Sequence, residues 1–206
     1  MTTMLFEDFG RYSDVLRARS GEVVKVRFVE PGDAEPLRAY VRALSPESRF
    51  RRFFGPIREL PGNLLDHFIH VGEHDEFSVV ATMTVDGMEI IVGEARYAFH
   101  PDDDSVEFGL SISDIWQGHG IGTAVLRNME CRAASFGATR IYGDALRSNE
   151  SMIALARKAG YGFTASPGEA RAVRFEKPIV LAPHEIPCAS WRLAAAARTG
   201  SAASAR

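Results

Sequence analysis

The chain has 206 residues, of which 46% are hydrophobic and 25% charged. That is the profile of an ordinary folded protein of about one domain, not of a disordered or fibrous one. Lys and Arg number 24 against 27 Asp and Glu, a formal net charge of −3, which leaves no basic footprint for nucleic acid or an anionic membrane. Its two cysteines, Cys131 and Cys188, are too few for a disulfide framework and fit a reducing compartment.

No stretch is apolar for long enough to cross a bilayer. The longest apolar-rich run, Phe77 to Val85, is interrupted by Ser78, Thr82 and Thr84. The first residues carry acids early and lack the basic-then-apolar pattern of a secretory signal. The expectation is a cytoplasmic enzyme or binding module.

Residues 1–21 read as an N-terminal extension with a short helix around Ser13–Arg19. Val23 to Val29 alternates and is rich in β-branched residues, which predicts a first strand. After the turn Pro31-Gly32-Asp33, Leu37, Tyr40, Val41 and Leu44 recur at helical spacing, so Ala34 to Leu44 is a helix. Ser45-Pro46-Glu47 is a helix start: a side-chain oxygen for an early amide, a proline at the first helical position, an acid at the positive helix end. The helix Pro46–Phe54 carries Arg49 and Arg52 on one side, expected at the surface, and Phe50, Phe53 and Phe54 on another. A short helix follows Pro61, with Leu64, Leu65, Phe68 and Ile69 as its apolar stripe.

Three strands come next, Phe77–Val85, Glu89–Phe99 and Ser105–Ser113, joined by turns at Asp86-Gly87 and at residues 101–104. In the second, Ile91, Gly93, Ala95, Tyr97 and Phe99 are expected on one face. In the third, Val106, Phe108, Leu110 and Ile112 point one way and Glu107, Gly109 and Ser111 the other. Gly120 to Phe136 is a long helix closed by Gly137. Arg140–Leu146 is a further strand, Asn149–Ala159 a helix closed by Gly160, and Tyr161–Ala165 with Ala172–Ile179 a last hairpin. The order makes an α/β layer architecture with a mixed sheet. From residue 182 onward the composition shifts toward Ala, Ser and Arg, the mark of a partly flexible tail. Within it, Trp191 and Leu193 are the residues able to dock back on the domain or on a second subunit.

The most informative stretch is Trp116-Gln117-Gly118-His119-Gly120-Ile121-Gly122, between a strand and the long helix. Glycines let backbone approach a ligand, and free amides at a helix start attract an anion such as a pyrophosphate. A dinucleotide fingerprint would need a third glycine where Thr123 stands, and a Walker loop needs Gly-Lys-Ser/Thr, which is absent. What remains is Gln-x-x-Gly-x-Gly.

That run resembles the pyrophosphate loop of the GNAT N-acetyltransferase superfamily. Asn149 to Tyr161, NESMIALARKAGY, resembles the family's second motif at the right distance. Leu44 to Phe54 resembles the corresponding helix of bacterial Pat-type protein lysine acetyltransferases. The resemblance implies a single GNAT-like α/β domain over residues 22–181, with a mixed, mostly antiparallel sheet of about six to seven strands and helices on both faces. It implies acetyl-CoA as co-substrate, held by Gln117, Gly118, His119, Gly120, Ile121 and Gly122. The pantetheine arm would lie on Leu110, Ser111 and Ile112, and Asn149 would hydrogen-bond the cofactor. A dimer is common in that family.

Acetyl transfer to an amine needs the neutral amine, and a lysine is only roughly 0.04% neutral at pH 7, a cost of about 4.6 kcal/mol. A carboxylate can take the proton. Glu107, off the apolar face of its strand and similar in place to the family's general base, is the first candidate; Glu94 on the preceding strand is the second. Many GNAT enzymes carry a tyrosine where Ala156 stands here, to protonate the departing thiolate. The acceptor is a protein lysine or a small amine, with no nucleic acid and no membrane partner. The alternative is a non-catalytic acyl-CoA-binding regulatory module. His67, His70 and His74 with Asp75 have spacing a metal could use, but they read as a polar surface face and no metal is expected. Cys131 reads as a small buried residue.

Overall fold

The computed structural model describes residues 13–72 and 75–204. Among the described residues eight strands make one sheet: β1 (Asp14–Arg17), β2 (Val23–Phe28), β3 (Glu76–Val85), β4 (Met88–His100), β5 (Ser105–Ile112), β6 (Arg140–Leu146), β7 (Gly162–Ala165) and β8 (Ala172–Pro178). Their spatial order is β1-β2-β3-β4-β5-β6-β8-β7. Every neighbouring pair is antiparallel except β5 and β6. Tight turns make the antiparallel pairs; at Asp86 and Gly87, φ is 50° and 78°, the two left-handed residues whose twist suits a hairpin. Between β5 and β6 the chain runs through a helix, the connection a parallel pair requires.

Six α-helices among the described residues cover the sheet: α1 (Ala34–Ala43), α2 (Pro46–Phe53), α3 (Gly62–Ile69), α4 (Ile121–Phe136), α5 (Glu150–Lys158) and α6 (Ala189–Ser204). Two cores result. The smaller holds Leu37, Tyr40 and Val41 of α1 with Leu65 and Phe68 of α3 against Val80 of β3. The larger holds Ile121, Val125 and Met129 of α4, Ala156 of α5 and Trp191 of α6 against Val79, Ala95, Val106 and Phe108. With both faces covered, β3 is buried almost end to end, which is why its sequence reads as a nearly continuous apolar run.

Three expectations are corrected. Residues 14–17 are not helical but form β1, paired with β2 from Asp14 opposite Val26 to Arg17 opposite Val23; this edge strand raises the count to eight. Second, β4 does not keep one phase. Ala81 faces Gly93 but Thr82 faces Ile91, so Val92 is an extra residue, a β-bulge. The bulge sends Val92 and Ile90 to the larger core and Ile91 to the smaller one. Third, Cys131 and Cys188 are joined as a disulfide, with Cα atoms 6.0 Å apart. Cys131 is buried as expected, but it ties α4 to the segment leading into α6.

Residues 182 onward, read as a tail, carry that helix. Trp191 is fully buried, whereas Leu193 is exposed. The Trp191 indole N–H donates to Asp14 Oδ2 at 2.8 Å, and the Arg132 guanidinium lies 4.3 Å from its ring centre. Arg132 itself is buried, donating to Asn128 Oδ1 at 2.7 Å and to the Tyr97 hydroxyl at 3.2 Å. Trp191→Ala is therefore expected to remove about 3–5 kcal/mol of stability, read from urea denaturation. An unchanged midpoint would contradict the docked C-terminal helix.

Candidate active site

The sheet opens in one place. β5 and β6 pair only from Ser105 to Glu107, opposite Arg140 to Tyr142. The other edge of β5 stays paired with β4 as far as Ile112. Beyond Glu107, then, one edge of β5 faces an opening rather than a strand. The Ser111 carbonyl lies 3.0 Å from where a Cβ on Gly93 would sit, so it points at β4. The Phe108 carbonyl lies 2.6 Å from the equivalent point on Gly143 of β6, and the Ile112 carbonyl accepts from Gln117 Nε2 at 3.0 Å. A strand residue presents its N–H and C=O to the same edge. The amides of Leu110 and Ile112 therefore point into the opening, while that of Ser111 serves β4.

The glycine loop stands at the mouth of this opening. Gly118 and Gly120 have φ of 80° and 92°, which turns the chain sharply into α4. A Cβ on Gly118 would meet nothing, but on Gly120 it would lie 2.9 Å from the backbone nitrogen of Arg19. The β1–β2 turn thus backs the loop. Ser20 N–H donates to the His119 carbonyl at 3.3 Å, and His119 Nδ1 lies 2.9 Å from Glu22 Oε1. Hydrogen bonds from Ser20 and His119 hold the Glu22 carboxyl down at about 2. His119 is thus engaged with the hairpin, and the Ile121 side chain is wholly in the core; what these two can offer a ligand is backbone. Asn149 caps α5, its Oδ1 accepting from Met152 N at 3.2 Å, and it also lines the groove.

The two carboxylates differ sharply. The Glu94 side chain is 0% exposed. Arg52 grips both of its oxygens, at 2.6 and 2.9 Å, and Ser111 Oγ donates to Oε1 at 2.6 Å. The Tyr40 hydroxyl lies 2.9 Å from Ser111 Oγ, and burial together with the Glu94 charge raises its pKa well above the ordinary range. Burial alone would lower the Arg52 pKa, but the facing Glu94 carboxylate outweighs it and holds the guanidinium charged. Arg52, expected at the surface, instead lies over Gly109, where a Cβ would come within 2.9 Å of its Nη1. Arg49 is likewise turned inward, donating to the carbonyls of Ile57 and Arg42 at 2.9 Å.

Glu107, by contrast, is 49% exposed at the closed end of the opening. Its Oε2 accepts from the Tyr142 hydroxyl at 3.1 Å and lies 3.7 Å from His100 Nε2. Among the described residues nothing bonds Oε1. Burial first and the Glu107 charge second push the Tyr142 hydroxyl up to about 12, so it stays a donor. His100 and Tyr142 were not legible as neighbours of Glu107, because only the pairing of three strands brings them together.

Glu107, His100, Arg52, Leu110, Ser111, Ile112, Gly118, Gly120 and Asn149 line one groove of about 1220 Å³, whose walls include Phe54 and Leu64 as well as Met152 and Leu155; Glu94 and Tyr142 reach it only through Arg52 and Glu107. Arg17 and Arg19 of the β1–β2 hairpin and Arg127 of α4 stand at its loop end. Among the described residues no three His, Cys, Asp or Glu side chains converge as a metal would require; His67 lies 3.7 Å from Glu76, and His74 falls outside the described residues. No helix among them is long and apolar enough to cross a membrane. Glu94→Ala would leave Arg52 charged and buried without its partner; about 3–5 kcal/mol of stability should be lost, measurable by chemical denaturation. A variant as stable as the parent would contradict the buried pair.

Comparison with known proteins identifies the fold and the family. The model of the acetyltransferase (GNAT) family matches residues 41–161, more than half of the chain. An acetyltransferase of Pseudomonas aeruginosa is 29% identical over 141 residues, covering 68% of this chain and 76% of that protein. The acetyltransferase Pat of Mycolicibacterium smegmatis is 28% identical over 138 residues, 66% of this chain, which spans 40% of Pat's length. The crystal structure of the GNAT domain of S. lividans PAT superposes with a TM-score of 0.72 at 27% identity, covering 81% of this chain and 96% of that one. Spermidine N-acetyltransferase from Vibrio cholerae, solved with CoA and spermine, shares the fold at a TM-score of 0.62 and 15% identity, over 76% of this chain and 95% of that one. The chain belongs to the GNAT acetyltransferase family and is an acetyltransferase of that type.

Proposed function

We propose that the protein moves an acetyl group from acetyl-CoA to a primary amine by direct attack in a ternary complex, with Glu107 as general base. One observation carries this reading: the free edge of β5 ends on a half-exposed carboxylate with an unengaged oxygen. The pyrophosphate would sit on the amides between Gly118 and Gly122, where the positive end of α4 adds to their pull. From Ile112 to Glu107 the strand runs about 17 Å, and the pantetheine arm would lie along it like an added strand, taking the Leu110 and Ile112 amides. Its thioester then reaches the closed end, where a backbone N–H of that edge stabilises the developing oxyanion.

The amine would approach from the α2–α3 side of the groove, past Phe54 and Leu64. Glu107 Oε1 accepts its proton as the nitrogen attacks the thioester carbon. Glu94 serves a different purpose: with both oxygens held by Arg52, it fixes the α2 helix to the floor of the site. Ala156 is wholly buried, so no hydroxyl is supplied there, and the departing thiolate takes its proton from water. An acceptor of either size, a lysine of a protein or a free small amine, presents the same ammonium group to Glu107.

Glu107→Gln keeps the shape and removes the base. The rate of thiol release with an amine acceptor should fall about 10²- to 10⁴-fold while acetyl-CoA affinity is kept. An undiminished rate would remove Glu107 from the chemistry. Saturable acetyl-CoA binding without release for any acceptor, in the parent protein, would favour the regulatory reading instead.

A further inference from the structure

Resting on that reading of Glu107, we propose that His100 is a positioning residue that takes the amine's proton from Glu107 and passes it to solvent, while Tyr142 holds the carboxylate between them. The register of three adjacent strands puts the trio on one face. Glu107 of β5 stands opposite Ala98 of β4 and opposite Tyr142 of β6. His100, two residues beyond Ala98, is its diagonal neighbour on the same face, within reach of a long side chain. The His100 and Tyr142 rings lie nearly parallel, 21° apart in plane, with centres separated by 6.3 Å.

The contacts are divided between the two oxygens of Glu107. Tyr142 and His100 both converge on Oε2, at 3.1 and 3.7 Å, which leaves Oε1 for the substrate. His100 Nε2 is shielded from solvent and has no hydrogen-bond partner. A shielded nitrogen without a bond is costly, and its distance from Oε2 is just beyond bonding range. The ring as a whole is 44% exposed, so a proton taken up inside can leave from the outer side. The charged groups nearby are already engaged. Arg174 lies over Tyr142 but is paired with Asp144 at 2.8 Å, and Arg140 is paired with Asp103 at 2.7 Å. Tyr142 is held protonated, which leaves His100 as the base beside Glu107.

The steps balance. As the amine attacks, its N–H bond breaks and an O–H bond forms on Glu107. A half-turn of the carboxyl brings that hydrogen to the His100 side. The O–H bond then breaks as Nε2–H forms, giving an imidazolium beside a restored carboxylate. Nδ1 releases its proton to water, which leaves a neutral ring with its hydrogen on Nε2. Before the next turnover the ring swings outward, the Nε2–H bond breaks as water takes that proton, and Nδ1 takes one from water, so that one proton per cycle has passed to solvent.

The test compares the parent protein with His100→Ala, His100→Gln and Glu107→Gln, using acetyl-CoA with a lysine-containing tetrapeptide and with spermidine. Acetylated product is counted by mass spectrometry, so that direct reaction of added buffer with the thioester does not interfere. Both His100 variants should lose at least about tenfold in kcat with an unchanged KM for acetyl-CoA. Added imidazole should restore the rate of His100→Ala in proportion to its concentration and leave the parent unaffected. Melting curves establish that the variants are folded. Parent-like rates in both His100 variants, or a loss that imidazole does not repair, would overturn the relay; if Glu107→Gln is inactive in the same series, the base itself stands. A fully active Glu107→Gln, or a parent protein that acetylates neither acceptor, would overturn both.

Discussion

The parting of β5 from β6 after a single run of three paired residues is the feature on which the rest of the site depends. A paired strand has no backbone groups to spare; an unpaired edge in the middle of a sheet has a row of them. Here that edge is neither covered nor at the rim. It begins where Glu107 faces Tyr142 and ends where Gln117 takes the Ile112 carbonyl. The glycine loop follows at once, so a long ligand with an anion at one end would find amides at the loop and at Leu110 and Ile112. The parallel crossover through α4 makes this possible, because it brings β6 beside β5 at only one end.

Keeping such an opening in shape takes stiff walls. On the side of α2, the Arg52–Glu94 pair is buried beneath the helix, and Asp114 accepts from Ser45 N–H at 2.8 Å and from Ser48 Oγ at 2.6 Å. Burial of an ion pair contributes little net stability, but it penalises every arrangement that separates the charges. On the side of the loop, the β1–β2 hairpin packs directly behind Gly120, although it precedes the residues matched by the family model. On the far face, α6 closes the larger core over α4 through Trp191 and the Cys131–Cys188 bridge. Groove and core thus share α4, whose first turn lines the groove and whose inner face carries the packing.

Much of this was legible before any coordinates. The strict alternation of β5 separates Glu107 from the core, and the glycines at 118 and 120 mark a loop ahead of the long helix. The capping serine at 45 and the left-handed glycine at 137 bracket their helices as expected. What was hidden depends on partners distant in the chain. Glu94 and Glu107 both sit off an apolar face, and only Arg52, arriving from α2, buries one and leaves the other open. Residues 14–17 are too short a stretch to show a period, and they became a strand because β2 offered a free edge. The bulge at Val92 leaves no mark on an apolar run, and the pairing of two cysteines 57 residues apart follows from where α6 docks.

In the proposed mode of binding, the free edge of β5 receives the thioester arm as an added strand. Amide hydrogen exchange, followed residue by residue by NMR, addresses it directly. Saturating acetyl-CoA should slow exchange at Leu110 and Ile112, and at the loop amides from Gly118 to Gly122, while Ser111, already turned toward β4, changes little. If those amides exchange as fast with the cofactor as without it, the open edge is not where the arm lies.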